Sequence, residues 1–408
     1  MAQQGRRQQA RKKNTGIGRG HGKHHRRGDG APRSIGTGRK RIDERQRERG
    51  WAGRDDDELE DLPLRQRLKT QGERLQELDD ADSRGAKLEG LHAPGTVVEL
   101  HKGCCLVQLK DPPNLPEGWT PLPPLLRATP RGLFKKFDVG KASLVAVGDA
   151  VEVVIPPTQG NEEYEAIVAR VEPRRTEFRR MHPSGRAIQT LSANVDRIVI
   201  VSSAGQPPFR PGFVDRVLVC AQSSHLPAAL VLNKSDLGVK SSDEELLAVY
   251  RDLGVQVFIT SALRGEGLDT LKELLASGRN VLCGHSGVGK SSLLAALSPD
   301  RSAEIRVGEI SDYTGRGTHT TTHAKLYRFP WGEAIDTPGI REFTPADTDR
   351  KNLWGWFPEI ASRRDECGFS DCTHLHEKNC AVLKALEEGE IHPRRHESYE
   401  RIYQTLPV

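Results

Sequence analysis

One polar segment of this chain has the residue types and spacing that hold phosphate groups. Gly284-His285-Ser286-Gly287-Val288-Gly289-Lys290-Ser291 fits the pattern G-x-x-x-x-G-K-[ST]. An apolar run precedes it and another follows Ser292, which predicts a strand, this loop and a helix in that order. Backbone N–H groups at such a helix start can cradle phosphate oxygens, and the helix dipole favours negative charge there. In this interpretation Lys290 contacts the β- and γ-phosphates, Ser291 binds Mg²⁺, and Ser292 completes the loop.

A second segment indicates which base accompanies the phosphates. Asn233-Lys234-Ser235-Asp236 follows an apolar run, and the carboxylate of Asp236 can accept hydrogen bonds from the ring N–H and exocyclic amine of guanine. Adenine lacks this pair of donors, so it would leave a buried carboxylate unpaired at considerable cost. Ser261-Ala262 ends another apolar run, where backbone amides can meet the guanine oxygen. Together these segments predict binding of GTP rather than ATP.

The order of these segments is unusual. In the common GTPase arrangement the phosphate loop opens the domain and the guanine loop follows, whereas here the guanine loop comes first. A threonine-rich stretch, Thr320-Thr321-Thr322, and then Asp336-Thr337-Pro338-Gly339 come after the phosphate loop. This order predicts a circularly permuted GTPase with an α/β fold.

The residues that would support hydrolysis depart from the common pattern. Asp336 could hold Mg²⁺ through water, and Gly339 leaves room for its N–H to approach the γ-phosphate. Ile340 stands where many GTPases carry a glutamine that orients the attacking water. A neutral imidazole at His319 could take that role near physiological pH, although an exposed loop histidine without a catalytic role is an equal alternative. We assign Thr321 to the Mg²⁺ shell, while the sequence does not distinguish it from its two neighbouring threonines.

Three thiols and an imidazole lie within a short polar stretch near the C-terminus. Their spacing is Cys367-x₄-Cys372-x-His374-x₅-Cys380, and four ligands of this kind suit tetrahedral Zn²⁺. Disulfides are the competing interpretation, but the seven cysteines of the chain are an odd number and a nucleotide-binding domain suggests a reducing compartment. Because no ligand position is left open, we predict a structural site. Three nearby histidines could replace the imidazole: His376, His392 and His396.

The order of these motifs resembles that of the ribosome small-subunit-dependent GTPase A (RsgA) family. The resemblance extends from about Leu91 to the C-terminus. It implies a multidomain fold: a β-barrel of the OB type, an α/β circularly permuted P-loop GTPase domain, and a small α-rich zinc-binding domain. The expected division of the chain is 1–90 for a disordered basic extension, 91–182 for the OB-fold, 183–345 for the GTPase domain and 346–408 for the zinc domain.

The resemblance also implies a function. Members of this family bind the small (30S) ribosomal subunit and its rRNA, assist its late maturation, and hydrolyse GTP to GDP and phosphate when the subunit stimulates them. The position matching His319 carries the water-positioning role. A cytoplasmic monomer is expected. Two alternatives remain: a permuted GTPase acting on the large subunit, which the flanking OB and zinc regions disfavour, and an RNA-binding scaffold with GTP as a structural ligand, which Ile340 keeps open.

The positive charge of the chain is concentrated at its N-terminus. Residues 1–50 contain 16 Lys/Arg and four Asp/Glu, a net charge of +12, whereas the whole chain carries +5, so the remainder carries −7. The extension has few large apolar residues and cannot bury a core, so we predict that it is disordered and tethers the protein to rRNA phosphates.

Residues 91–181 show the pattern of a small barrel. Four short β-like runs occur there, separated by Gly and Pro, at 95–100, 104–109, 149–154 and 166–171. Neither a signal peptide nor a run of ~18 apolar residues is present, so no membrane partner is expected.

Overall fold

A computed structural model describes residues 88–101, 103–111, 113–119, 121–131, 144–157, 165–182, 188–276, 278–298, 324–337 and 343–406. Four sequence predictions concern residues outside these ranges: the basic extension, His319, Thr321 and Gly339. They stay predictions.

The first five strands form a closed barrel. Their neighbour order is β1-β2-β3-β5-β4, and β4 returns to pair with β1. The β3–β5 pair is parallel and the other pairs are antiparallel, which is the topology of an OB-fold. Alternate side chains such as Val97, Val107 and Val153 fill the barrel interior. The strands are β1 Leu91–His101, β2 Cys104–Leu109, β3 Leu126–Pro130, β4 Ala150–Ile155 and β5 Glu165–Val171.

A hairpin connects the barrel to the rest of the protein. It consists of β6 (Glu177–Met181) and β7 (Ile188–Ala193). The sequence analysis expected the OB-fold to end at residue 182 and the GTPase domain to begin at residue 183, and this boundary lies between β6 and β7. A buried ion pair ties the hairpin base to the barrel, with 2.7 Å between Arg174 Nε and Asp149 Oδ1.

The next six strands form an open sheet in the order β10-β9-β8-β11-β13-β12. All neighbours are parallel except β12, which runs antiparallel to β13. The strands are β8 Arg197–Ser203, β9 Ala228–Asn233, β10 Gln256–Ile259, β11 Arg279–Cys283, β12 Lys325–Phe329 and β13 Gly332–Asp336. Their crossover helices are α1 Pro211–Ser223, α2 Ser241–Asp252, α3 Leu268–Leu275 and α4 Lys290–Leu297.

Helices cover both faces of this sheet. Along β8, Ile198 and Ile200 pack in the core that α1 and α2 complete. The intervening Val199 and Val201 pack in the core that α3 and α4 complete. Because successive strand residues point to opposite faces, the continuous apolar run of β8 is what a doubly covered strand requires.

The barrel contacts the open sheet at several points, among them Arg279 Nη1 of β11, which donates to the carbonyl oxygen of Gly148 at 2.6 Å, and the seam between strands β1 and β12. Strand β1 pairs with β12 through Glu99 and Lys325, whose side chains form an ion pair at 3.7 Å. Beside it, Arg328 Nη1 donates to Gln108 Oε1 at 2.7 Å.

The C-terminal region is a small helical domain docked on α1. Its helices are α5 Pro358–Ala361, α6 Ala381–Glu387 and α7 Pro393–Thr405, and two short 3₁₀ turns lie at Leu353–Trp356 and Arg364–Glu366. Phe357 and Tyr399 pack edge to face in its core. Val219 of α1 belongs to the same core, so the domain shares buried apolar surface with the open sheet's helix layer.

Buried charges join α1 to this domain. Arg395 of α7 forms an ion pair with Asp215 of α1 and another with Glu359 of α5, with 2.7 Å between Nε and Oε1. Tyr250 donates its hydroxyl to Asp215 at 2.8 Å. Both carboxylates and the guanidinium are largely buried.

None of the helices in the described part of the chain has both the length and the apolar character needed to cross a membrane bilayer.

Candidate functional site

Four predicted loops meet at one edge of the open sheet. The guanine loop follows β9, Ser261-Ala262 follows β10, the phosphate loop follows β11, and Asp336 ends β13. These four strands are parallel, so their carboxyl ends lie at the same edge. That edge is where open α/β sheets bind their ligands.

Glycines allow the phosphate loop to run close to its neighbours. A Cβ at Gly284 would lie 2.3 Å from the carbonyl oxygen of Val201. Gly289 has φ +94°, and a Cβ there would lie 2.4 Å from Asn233 Nδ2. Larger residues would therefore force the phosphate loop away from β8 and from the guanine loop.

Lys290 and Ser291 open helix α4 at the expected place. Lys290 Nζ donates to the carbonyl oxygen of Gly284 at 2.9 Å, so the ammonium group lies against the loop that would carry phosphates. Burial lowers its pKa, which the Asp336 carboxylate opposes. Ser291 Oγ donates to Asp336 Oδ2 at 2.7 Å. Ser291, which is predicted to bind Mg²⁺ directly, is therefore in contact with Asp336, which is predicted to hold the ion through water, and both offer the oxygen atoms that this ion prefers.

Asn233 holds three of the loops together. Its Nδ2 donates to the carbonyl oxygen of Val288 in the phosphate loop at 3.0 Å. Its Oδ1 accepts from the backbone N–H of Ala262 at 3.1 Å and from Thr260 Oγ1 at 3.4 Å. Asn233 thus fixes the distance between the base-binding and phosphate-binding loops.

The remaining guanine-loop residues face the same space. Lys234 has φ +61° and donates Nζ to the carbonyl oxygens of Gln206 and Gly287, both at 2.6 Å. Asp236 Oδ1 accepts from Ser261 Oγ at 2.5 Å. Lys234 therefore contacts the phosphate loop, and Asp236 contacts the Ser261-Ala262 loop.

The structure also shows contacts that the motifs do not predict. The carbonyl oxygen of Gln206, which accepts a hydrogen bond from Lys234, lies in the loop after β8. The carbonyl oxygen of Glu266 accepts a hydrogen bond from the backbone N–H of Ser261 at 3.0 Å. His285 packs its ring 4.4 Å from that of Phe213 on α1. Burial, with the nearby Arg210 and Lys290 charges, lowers the pKa of His285, which favours a neutral ring. These contacts join distant segments, so motif spacing carried no signal for them.

The four predicted metal ligands converge in the C-terminal domain. The donor atoms of Cys367, Cys372, His374 and Cys380 all lie within 4.8 Å of one another. Cys367 Sγ lies 3.9 Å from Cys380 Sγ, and His374 Nδ1 lies 3.6 Å from each of these sulfurs. A tetrahedral ion with metal–sulfur distances of about 2.3 Å needs sulfur atoms about 3.8 Å apart. The cluster therefore fits a four-coordinate metal ion.

A second layer of contacts shapes the backbone around these ligands. Glu377 accepts from the backbone N–H groups of Thr373 at 2.8 Å and of Leu375 at 3.1 Å. Although partial burial opposes the shift, these bonds and that of the Thr373 hydroxyl lower the pKa of Glu377 to about 2. His396 bonds through Nε2 to the carbonyl oxygen of His374 at 2.8 Å, so His396 supports a ligand residue and His374 supplies the imidazole to the cluster.

These loops, in this chain order on this sheet, define a circularly permuted P-loop GTPase. The family described as RsgA GTPase matches residues 171–345. A small ribosomal subunit biogenesis GTPase RsgA from Chlorobaculum parvum is 42% identical over 271 residues, which are 65% of this chain and 86% of that protein. The chain therefore belongs to the RsgA GTPase family.

Two further similarities agree with this assignment. The protein of the same description from Pseudomonas putida is 44% identical over 254 residues, covering 60% of this chain and 72% of its own length. Among solved structures, YjeQ from Thermotoga maritima has a TM-score of 0.53 and 29% identity, covering 77% of this chain and 98% of its own. The latter similarity includes more of this chain than its nucleotide domain alone.

Proposed function

We propose that this protein binds the small ribosomal subunit and its rRNA, assists late maturation of that subunit, and hydrolyses GTP to GDP and phosphate when the subunit stimulates it. The observation that carries the proposal is that the base-binding and phosphate-binding loops meet at one edge of the sheet although they occur in permuted order along the chain. In the sequence, a barrel precedes this nucleotide domain and a domain with a Cys₃His cluster follows it. The printed descriptions of relatives as small ribosomal subunit biogenesis GTPases support the choice of partner.

The protein's own residues account for nucleotide selection. Asp236 accepts from the two guanine donors, and Lys234 lies along the base plane with its ammonium group held by two carbonyls. Lys290 exchanges the Gly284 carbonyl for the β- and γ-phosphates, because an anionic oxygen is a stronger acceptor for an ammonium group. The backbone N–H groups at the start of α4 complete the phosphate cradle.

Ser291 and Thr321 are the proposed ligands of the Mg²⁺ that accompanies GTP, and Asp336 would hold this ion through water. When bound, this ion neutralises charge on the phosphate oxygens. The hydrogen bond between Ser291 and Asp336 supports the assignment, because it keeps both oxygens beside the phosphate loop. Gly339 is the proposed backbone donor to the γ-phosphate.

His319 is the proposed water-positioning residue. The support comes from the sequence: Ile340 cannot orient water, and His319 adjoins Thr320-Thr321-Thr322. A positioned acid–base group contributes roughly 10²-fold or more to a rate. His319→Ala should therefore retain GTP affinity and lose most subunit-stimulated hydrolysis.

Zn²⁺ is the ion proposed for the Cys₃His cluster. Three thiolates and one imidazole with sulfur spacings suited to tetrahedral geometry favour zinc over oxygen-preferring ions. Because four protein ligands leave no open position, the proposed role is structural.

Turnover measurements test the proposed function directly. GTP hydrolysis by the purified full-length chain should be slow alone and rise strongly on addition of small subunits, while large subunits give no comparable rise. Stimulation by large subunits alone would support the first alternative. Tight GTP binding without hydrolysis under any of these conditions would support an RNA-binding scaffold, and either result would overturn the proposal.

A further inference from the structure

A row of buried aromatic rings leads from the hairpin to the phosphate loop. Phe178 of β6 lies with its ring centroid 5.7 Å from that of Phe343. Phe343 meets Phe213 of α1 edge to face at 5.9 Å, and Phe213 contacts His285 of the phosphate loop at 4.4 Å. The rings of Phe178 and Phe343 are fully buried. Four segments distant in sequence therefore share one continuous packing contact.

The chain around Phe343 is also held by polar bonds to the hairpin and to α1. Met181 donates its backbone N–H to the carbonyl oxygen of Thr344 at 2.8 Å. Arg179 and Asp347 form an ion pair at 2.9 Å. Arg216 of α1 donates to the carbonyl oxygen of Phe343 at 3.3 Å. Residues 343–347 are thus attached to the hairpin by side-chain packing, a backbone bond and a charge pair.

The opposite end of the hairpin is attached to the barrel. Besides its pair with Asp149, Arg174 donates to the carbonyl oxygen of Leu144 at 2.7 Å. An isolated β-bridge between Val147 and Ser192 also joins the barrel to β7. The hairpin therefore contacts the barrel at one end and residues 343–347 at the other.

We propose that Phe178, Phe213 and Phe343 are positioning residues for GTP hydrolysis, through which partner binding at the barrel and hairpin adjusts the catalytic loops. Asp336 lies at the sheet edge, where it accepts a hydrogen bond from Ser291, and Phe343 follows it seven positions later in the chain and packs in the ring row. The proposal rests on subunit-stimulated hydrolysis as the function and adds a physical route for the stimulation.

Close packing of these rings would transmit a movement of the hairpin to the nucleotide loops. Protein interiors are packed as tightly as organic crystals, so a displaced ring displaces its neighbours rather than filling a void. A misplacement of about 1 Å at a reacting centre can reduce a rate about 10²-fold. A small shift of the hairpin can therefore change hydrolysis without changing any residue that touches nucleotide.

The primary test compares two leucine substitutions in one core, both in the full chain. Phe178→Leu shortens the row at the hairpin end. Phe209→Leu removes the same atoms from a buried ring that instead packs on Tyr250. Phe178→Leu should lower subunit-stimulated kcat at least about tenfold with KM for GTP within about threefold, whereas Phe209→Leu should keep stimulated kcat within about twofold. Equal losses in the two variants would reduce the row to a structural role and overturn the proposal.

Non-additivity gives a second readout that general destabilisation does not produce. The double variant Phe178→Leu/Phe213→Leu should lose far less stimulated kcat than the product of the two single losses, because both changes interrupt one row. Independent multiplication of the losses would contradict the proposal.

A polar variant keeps the test available if a leucine variant fails to fold. Asp347→Asn removes the charge pair with Arg179. The side chain of Arg179 is 22% exposed and that of Asp347 is 31% exposed, so the substitution leaves the core intact. It should lower stimulated kcat about threefold at unchanged KM, and an unchanged kcat would count against the proposal. If the wild-type chain shows no stimulation, the proposed function itself fails; if wild type and Phe178→Leu are stimulated equally, only the aromatic route fails.

Discussion

The nucleotide loops and the Cys₃His cluster are organised in opposite ways. In the nucleotide loops, functional groups already have partners from neighbouring loops: Lys290 is bonded to a carbonyl, and Asp236 to Ser261. In the cluster, the donor atoms lie close to one another, at spacings suited to an ion. The first region is shaped by the protein's own hydrogen bonds, and the second gathers groups that an ion would bind together.

This difference indicates which ligand the fold depends on. A nucleotide exchanges existing hydrogen bonds for new ones, so its loss should leave the loops close to their present arrangement. Loss of the metal ion would leave three thiols and an imidazole clustered without the interaction that stabilises them, and binding energy at such sites is also folding energy. The following predictions test this contrast, beginning with the largest expected effect.

The largest effect is expected from removing a metal ligand. Structural zinc contributes apparent binding free energies of about 10–16 kcal/mol in small domains at neutral pH, so Cys372→Ser should lose metal and unfold much of the C-terminal domain. Guanine nucleotide affinity should stay within about tenfold. Elemental analysis, hydrogen exchange and nucleotide titration would measure the three outcomes. Wild-type protein without stoichiometric zinc would disprove the metal assignment, and complete loss of nucleotide binding would disprove the independence of the two regions.

The interface between these regions can be tested at its buried charges. Asp215→Ala removes the α1 partner of Arg395, and breaking a buried pair from one side costs about 3–5 kcal/mol. We expect a markedly lower free energy of unfolding by denaturant titration. Arg394→Ala is the matched control, because Arg394 is the neighbouring exposed arginine and pairs with Glu397, where about 0–1 kcal/mol is at stake. Similar losses in the two variants would mean that the buried pair gives no special stability to the interface.

Base selection should respond to a single atom change. Asp236→Asn replaces an acceptor with an amide, and an unsatisfied buried group costs about 1–3 kcal/mol. GTP affinity should therefore fall about 10–100-fold while affinity for xanthine nucleotides rises, measured by competition binding. Metal content should be unchanged. Undiminished GTP affinity would show that Asp236 does not contact the base.

The smallest effect is expected at the hydroxyl that supports this carboxylate. Ser261→Ala removes the hydrogen bond to Asp236, a contribution of about 1 kcal/mol, so GDP affinity should fall about fivefold. Isothermal titration would detect this change. A loss as large as that of Asp236→Asn would indicate that the Ser261 hydroxyl, and not only its backbone, contacts the nucleotide directly.

The contrast between the regions also explains what the sequence could predict. The phosphate loop, guanine loop and metal ligands have short, fixed spacings because each is built largely from one local segment. The strands that lead into the two nucleotide loops are apolar runs of β-branched and aliphatic residues, so β9 and β11 could be anticipated. The four runs expected in residues 91–181 contribute to β1, β2, β4 and β5.

Other features lacked a local signal. Strand β3 has the sequence Leu-Arg-Ala-Thr-Pro, which follows a proline-rich stretch and has too few apolar residues to suggest a strand. The Asp215–Arg395 pair joins residues 180 positions apart, and nothing beside either residue indicates its partner. The ring row is similar, because phenylalanines in β6, in α1 and after β13 would each be explained by ordinary core packing. Tertiary contacts of this kind become visible when the chain is folded.

The seam between β1 and β12 has a mechanical consequence. The barrel strands β1 and β2 are joined by a ladder of six residue pairs, whereas β1 and β12 are joined at one pair. Under a load that pulls β1 sideways from β12, the six pairs of the β1–β2 ladder would share the force, whereas the seam has one backbone pair and a few side-chain bonds to bear it. The seam should therefore part before the β1–β2 ladder does, and its resistance comes from the ion pair of Glu99 with Lys325 and the Arg328 bond to Gln108. Elsewhere between the two bodies, the Arg279 bond to Gly148 adds to that resistance.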